Sequence, residues 1–146
     1  MNPDIETTIT RQAVVDTARG WLDVPWRHQG RNEHGVDCIG LIVMVCRALG
    51  LSEYDSQAYG RDPDAGKFLH HFVHGGATRI DPKIAADGDL IVFHQRGFPC
   101  HAGIRSTKDG VAYVIHAHAG HRKVVEEVLR PEAPLVAVFR LPGIGV

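Results

Sequence analysis

Apolar residues recur at helical spacing near the start of the chain. Ile9, Ala13, Val14, Ala18, Trp21 and Leu22 share one face, with Arg11, Gln12, Asp16 and Arg19 between them. This predicts an amphipathic helix over about residues 8–20. The stretch DVPWRHQGRNEHGVD, with a proline and two glycines, reads as a loop. The next run, CIGLIVMVCRAL, is apolar on nearly all sides and is followed by Gly50. Its Ile and Val content suits a buried strand, but twelve residues ending at a glycine fit a buried helix over 38–49 better. Asp37 is its natural N-cap, which puts Cys38 in the first turn. A third helix is predicted from Asp62-Pro63, a capping Asp with Pro at the first helical position, to Gly75-Gly76.

From residue 89 the period shortens to that of strands. The candidates are 90–93, 101–106, 111–117, 124–129 and 135–141. Asp109-Gly110 is a strong hairpin signal, and Pro131 and Pro134 separate the last two strands. Helices first and an antiparallel sheet of about five strands afterwards is an α+β order, not a series of βαβ units. With no repeat and no linker, residues 1–146 read as one domain, able to bury roughly two-thirds of its unfolded surface.

Charge and composition narrow the class by exclusion. Sixteen Lys plus Arg against 17 Asp plus Glu give a net charge of -1, which offers nucleic acid no basic surface. GxxxxGK and GxGxxG phosphate loops are absent. The longest nearly apolar run, 39–46, is far short of a membrane span, so no membrane insertion is expected. The opening MNPDIETTITRQ has neither the basic start nor the apolar segment of a signal peptide, so synthesis in the cytoplasm without a cleaved leader is expected. Asp37, Asp55, Asp62, Asp64, Asp87 and Asp89 read as caps, turns and solvated surface.

Cysteine and histidine carry the candidate chemistry. Three cysteines are too few for a disulfide scaffold. Cys38 lies where first-turn N–H groups favour a thiolate and can hold an oxyanion. Cys46, inside the apolar helix, and Cys100, in a turn, read as structural. Ten histidines are many, and His94, His101, His116, His118 and His121 cluster late. A two-residue turn at 109–110 sets 108 opposite 111, Gly103 opposite His116, and His101 opposite His118. His101 and His116 are then diagonal neighbours on one face, and Gly103 leaves their rings room. A nucleophile, a base and an orienting group make the pattern of thiol acyl transfer: Cys38, His101 and His116, with His118 as the alternative orienter.

Five segments, WLDVPWR, DCIGLI, DGDLIVF, HAGI and VIHA, follow in the order seen in the NlpC/P60 family of cell-wall peptidases. The chain resembles the compact phage and gene-transfer-agent branch of that family over about residues 10–120. The resemblance implies a papain-like fold with Cys38 as nucleophile, His101 as base and His116 as third polar residue. It implies hydrolysis of amide bonds in peptidoglycan stem peptides, often γ-D-glutamyl-diaminopimelate, without a cofactor or metal. It also implies phage-like tail proteins as partners, with action on the bacterial wall in the periplasm from a particle. Two positions depart from the family pattern: Ile39 stands for the usual serine after the cysteine, and Trp26 for a tyrosine in the preceding loop. Both belong to the substrate and oxyanion region with Asp37. In the implied mechanism a Cys38 thiolate pairs with protonated His101.

Two other readings compete. The departures at Ile39 and Trp26 suit a tail-assembly or wall-binding component that has kept the fold and lost turnover. A zinc-binding protein would draw on Cys100, His101, His116, His118 and His121, although CxxC and HExxH spacings are absent and Cys38 is then unexplained. The loop before Asp37 and the 50–66 stretch are expected to frame the substrate groove, by analogy of fold.

Overall fold

Helix α1 spans Arg11–Arg19, shorter at each end than the apolar periodicity suggests. Thr10 sets the start, its hydroxyl accepting from the Ala13 N–H. The computed structural model describes residues 8–57, 59, 65–95, 98–130 and 135–144. Strands β1 (Arg31–Asn32) and β2 (Gly35–Val36) form a small hairpin within the predicted loop. Helix α2 spans Cys38–Leu49 as expected, capped by Asp37 and ended by Gly50. Helix α3 is observed over Ala65–His74; its predicted start at Asp62-Pro63 lies outside the described residues.

The remaining strands are β3 (Thr78–Ile80), β4 (Leu90–Gln95), β5 (Phe98–Lys108), β6 (Val111–His118), β7 (Lys123–Val128) and β8 (Leu135–Arg140). They form one antiparallel sheet in the order β3-β8-β4-β5-β6-β7. The five expected strands are all present. The sixth, β3, is a three-residue edge strand on β8, too short to leave a period in the sequence. Cys100 lies in β5, not in a turn, because that strand begins earlier than its hydrophobic alternation does. Pro131 and Pro134 lie outside the described residues.

Alternation along the strands divides the core in two. Val14, Val15 and Ala18 of α1 and Leu41 and Val45 of α2 pack on Leu90, Val92, Ala102, Ile104, Ile115 and Ala117. The intervening residues Ile91, Phe93 and Val114, with Val138, form a smaller cluster on the other face. Among the described residues, no helix is long and apolar enough to cross a membrane.

Charged side chains lock α1 onto this sheet. Arg19 donates from Nε and Nη2 to Glu126, and Arg11 reaches Asp89 at 3.0 Å. Asp89 is completely buried, contrary to the surface role expected from sequence. It also accepts from Arg140 at 3.0 Å and from the Ala86 N–H at 2.9 Å, so one carboxylate joins α1, β4 and β8. Tertiary partners outweigh the cost of burying its charge, and they hold its pKa below the ordinary carboxylate value. Asp89→Ala leaves two guanidinium groups and a half-buried N–H without that acceptor, and should cost about 3 kcal/mol in urea unfolding. Because the native pKa is depressed, the contribution is complete above the unfolded carboxylate's pKa and is lost as pH falls through the native one. The wild-type minus Asp89→Ala stability difference should therefore shrink on acidification; a constant difference would show that the charge is not what holds the three elements.

Candidate active site

The start of α2 is held by a network centred on Asp37. Its Oδ1 accepts from the Gly40 N–H at 2.7 Å and from Arg31 at 3.2 Å. Its Oδ2 accepts from the Gln29 N–H at 2.8 Å and from the Tyr59 hydroxyl at 2.7 Å. Arg31 continues to Tyr59 Oη at 2.8 Å and to Asp55 at 3.1 Å. Burial and the Asp37 charge push the Tyr59 hydroxyl far up, so it stays a donor. Gly40 is required because the Gly30 carbonyl oxygen sits 2.1 Å from where a Cβ would stand. Gln29 also donates to the Gln57 and Tyr59 carbonyls, so the two loops expected to frame the groove are joined beside half-buried Cys38.

Histidines and a carboxylate form a chain across β5, β6 and β7. His101 Nε2 and His116 Nδ1 are 2.5 Å apart, and His116 Nε2 lies 2.6 Å from Glu127 Oε1. The register explains both contacts. Pairing of β5 with β6 runs from Lys108–Val111 to Ile104–Ile115, as the Asp109-Gly110 turn requires, and brings His101 diagonally to His116. In the β6–β7 pair Val114 faces Glu127 and His116 faces Val125, so Glu127 is diagonal to His116. Gly103 gives the rings space, since a Cβ there would stand 2.9 Å from the His116 Cβ. Phe93 packs its ring edge-on to His101 at 5.3 Å between centroids.

Proton positions follow from the end of this chain. Glu127 is pulled down to about 2, chiefly by its bond to His116, so it is ionised and can only accept. His116 therefore donates to it from Nε2. With a neutral His116 ring Nδ1 is an acceptor, and His101 then donates from Nε2 and keeps its lone pair on Nδ1. Burial, with His116 and His118 nearby, drives the His101 pKa well below the usual imidazole value. In this 6 % exposed site burial works against an imidazolium at His101.

The other candidate residues are placed as follows. His116 makes the hydrogen bond to His101, while the His118 ring lies edge-on to His101 at 6.0 Å between centroids and its Nδ1 accepts from the His121 N–H at 3.0 Å. Trp26 is half-buried against the main core and donates its backbone N–H to Arg122 O. The Ile39 side chain is buried and lines an apolar pocket with Phe72, Leu90 and Leu141. Cys46 is buried, and desolvation pushes its thiol up to about 11, so it is structural. Of the zinc candidates, His101 and His116 bind each other, and the Cys100 side chain lies outside the described residues. Sequence reasoning missed Glu127, Arg31 and Tyr59. Glu127 was within reach, because extending the hairpin register to β7 puts it diagonal to His116. Arg31 and Tyr59 meet Asp37 from separate loops and leave no periodic trace.

A model of the NlpC/P60 family matches residues 23–133. The chain belongs to the NlpC/P60 family. Solved structures agree in fold. The NlpC/p60 domain of the peptidoglycan hydrolase SagA matches with a TM-score of 0.61 at 20% identity, over 90% of this chain and 99% of that one. An NlpC/P60 family protein from Bacillus cereus gives 0.64 at 21% identity, over 92% of this chain but 41% of its own. RipB, a peptidoglycan hydrolase from Mycobacterium tuberculosis, gives 0.61 at 19% identity, over 90% and 64%. The chain thus spans the whole of the SagA domain and less than half of the B. cereus protein. No curated protein matches the chain by sequence. In this NlpC/P60 domain the Glu127 contact extends the two-histidine pair to a third side chain.

The proton assignment is directly testable. Imidazole ¹⁵N spectra of the wild type should report hydrogen on Nε2 of both His101 and His116. Glu127→Ala should leave the fold intact and return His116 to a mixture of tautomers. Hydrogen on Nδ1 of His101 in the wild type would refute the order of donors.

Proposed function

We propose that the chain is an NlpC/P60-type cysteine endopeptidase that hydrolyses amide bonds in peptidoglycan stem peptides. The observation that carries the reading is the hydrogen-bonded chain from Glu127 through His116 to His101; with neutral rings it leaves a lone pair on His101 Nδ1. It stands on β5 and β6, against which α2 packs, and α2 begins at Cys38. Cys38 is the nucleophile. Its sulfur attacks the amide carbonyl as the thiol proton passes to His101 Nδ1, and the Cys38 backbone N–H helps to hold the oxyanion. His101 then gives that proton to the leaving amine. A water molecule, deprotonated by the same nitrogen, hydrolyses the thioester and restores the thiol.

Family membership and the SagA and RipB likenesses, both named peptidoglycan hydrolases, support this substrate class. Within it, the γ-D-glutamyl-diaminopimelate bond and delivery on a phage-like tail are the narrower readings. They rest on the motif order WLDVPWR, DCIGLI, DGDLIVF, HAGI and VIHA.

The test is digestion of purified peptidoglycan of several chemotypes, with mass analysis of the released peptides. Cys38→Ala should give none, and His101→Ala should lower kcat at least about 100-fold. His116→Ala should lower kcat about 10-fold or more with little change in KM. Wild-type rates in Cys38→Ala or His101→Ala would overturn the assignment. A wild type that releases nothing would favour a non-catalytic wall-binding role. Because His101 works as a neutral base and its pKa is depressed, the acid limb of kcat/KM should lie well below 6.5. A limb at or above that value would mean that the base is a more exposed group.

A further inference from the structure

The hairpin that carries the relay presents a second cluster on its solvent side. His118 ends β6, His121 lies in the turn, and Glu127 is on β7. Each offers one ligand atom, and the three atoms lie within 4.8 Å of one another. We infer that His118, His121 and Glu127 form a divalent-cation site, suited to zinc, whose occupation inhibits the relay by claiming the carboxylate that holds His116.

Two imidazoles and one carboxylate suit zinc and disfavour magnesium and calcium, which take oxygen ligands. A tetrahedral zinc with bonds of about 2.0–2.1 Å has ligand-to-ligand edges of about 3.3 Å. His121 Nε2 and Glu127 Oε2 already stand 3.4 Å apart. The His118 and His121 rings are 4.5 Å apart between centroids, and with ligand atoms within 4.8 Å the remaining closure is at most about 1.5 Å, within reach of an exposed side chain. His121 is 52% exposed and Glu127 39%, so a cation has access from solvent and a fourth position stays open to water. Whichever nitrogen His118 uses, its contact with the His121 N–H is given up, an exposed bond at a turn.

Glu127 faces both ways: Oε1 meets His116 and Oε2 meets His121. A cation on the Oε2 side draws charge out of the bond to His116 and loosens the ring that orients His101. It also adds positive charge beside a chain that must accept a proton from the thiol. The cation site stands without any assumed activity, whereas its inhibitory effect rests on the peptidase reading above.

Metal-free protein should be titrated with Zn²⁺ against a chromophoric chelator, with wild type, Cys38→Ala and His121→Ala compared. Peptidoglycan release is then assayed with and without Zn²⁺. Wild type and Cys38→Ala should bind one equivalent with equal affinity, and His121→Ala should bind about 10-fold or more weakly. Zinc should inhibit wild-type hydrolysis, reversibly by chelator. His121→Ala should keep the metal-free rate and need about 10-fold more zinc for the same inhibition. Loss of binding in Cys38→Ala would place the metal on the nucleophile and overturn the proposal, as would unchanged binding in His121→Ala. If the cluster binds zinc as stated but the wild type releases no peptide, the site stands and the peptidase reading falls.

Discussion

The bond from His116 to the Glu127 carboxylate is the constraint on which the rest of the site depends. An imidazole offers either nitrogen as donor, so two bonded histidines alone can pass a proton in either direction. An ionised carboxylate at one end removes that freedom, because it only accepts. With His116 neutral, each donor in the chain is then determined, and the His101 lone pair falls on Nδ1. The contact exists only because β5, β6 and β7 pair in one register, which puts His101, His116 and Glu127 on successive diagonals. A one-residue slip in either hairpin would send a member to the opposite face.

A second anchor fixes the other half of the site. Asp37 binds the Gly40 N–H as a helix cap does, but its second oxygen holds the Gln29 N–H and the Tyr59 hydroxyl. Capping therefore also joins two loops to the first turn of α2, where Cys38 lies. Arg31 neutralises the buried carboxylate and reaches across to Asp55, so the network closes on itself without leaving a buried charge uncompensated. Cys38, next to Asp37, is thereby fixed at the start of α2.

Burial sets the electrostatic character of His101. An imidazolium deep in the sheet would lose hydration that one distant carboxylate cannot replace, so the His101 pKa lies well below the usual imidazole value. Glu127 keeps more solvent contact than the histidines. It can thus stay charged at the outer end of the chain while orienting the buried end.

Local residue chemistry was enough to read much of this. Asp37 before an apolar run and Gly50 after it bound α2, and the Asp109-Gly110 turn dictates the register that joins His101 to His116. Alternation along the strands likewise marks the α+β class and the main core. These features depend on neighbours in sequence or on a two-residue turn, so a linear chain records them. Other features need partners far apart along the chain. Asp89 looks like surface until Arg11 and Arg140 reach it, and Tyr59 has no link to Asp37 before the loops meet. The lowered pKa of His101 also waits on folding, because desolvation is a property of the packed interior and has no counterpart in the extended chain. The sequence by itself determined which groups are available for chemistry; only the tertiary structure decided their charges and proton positions, since these depend on burial and on contacts between distant segments.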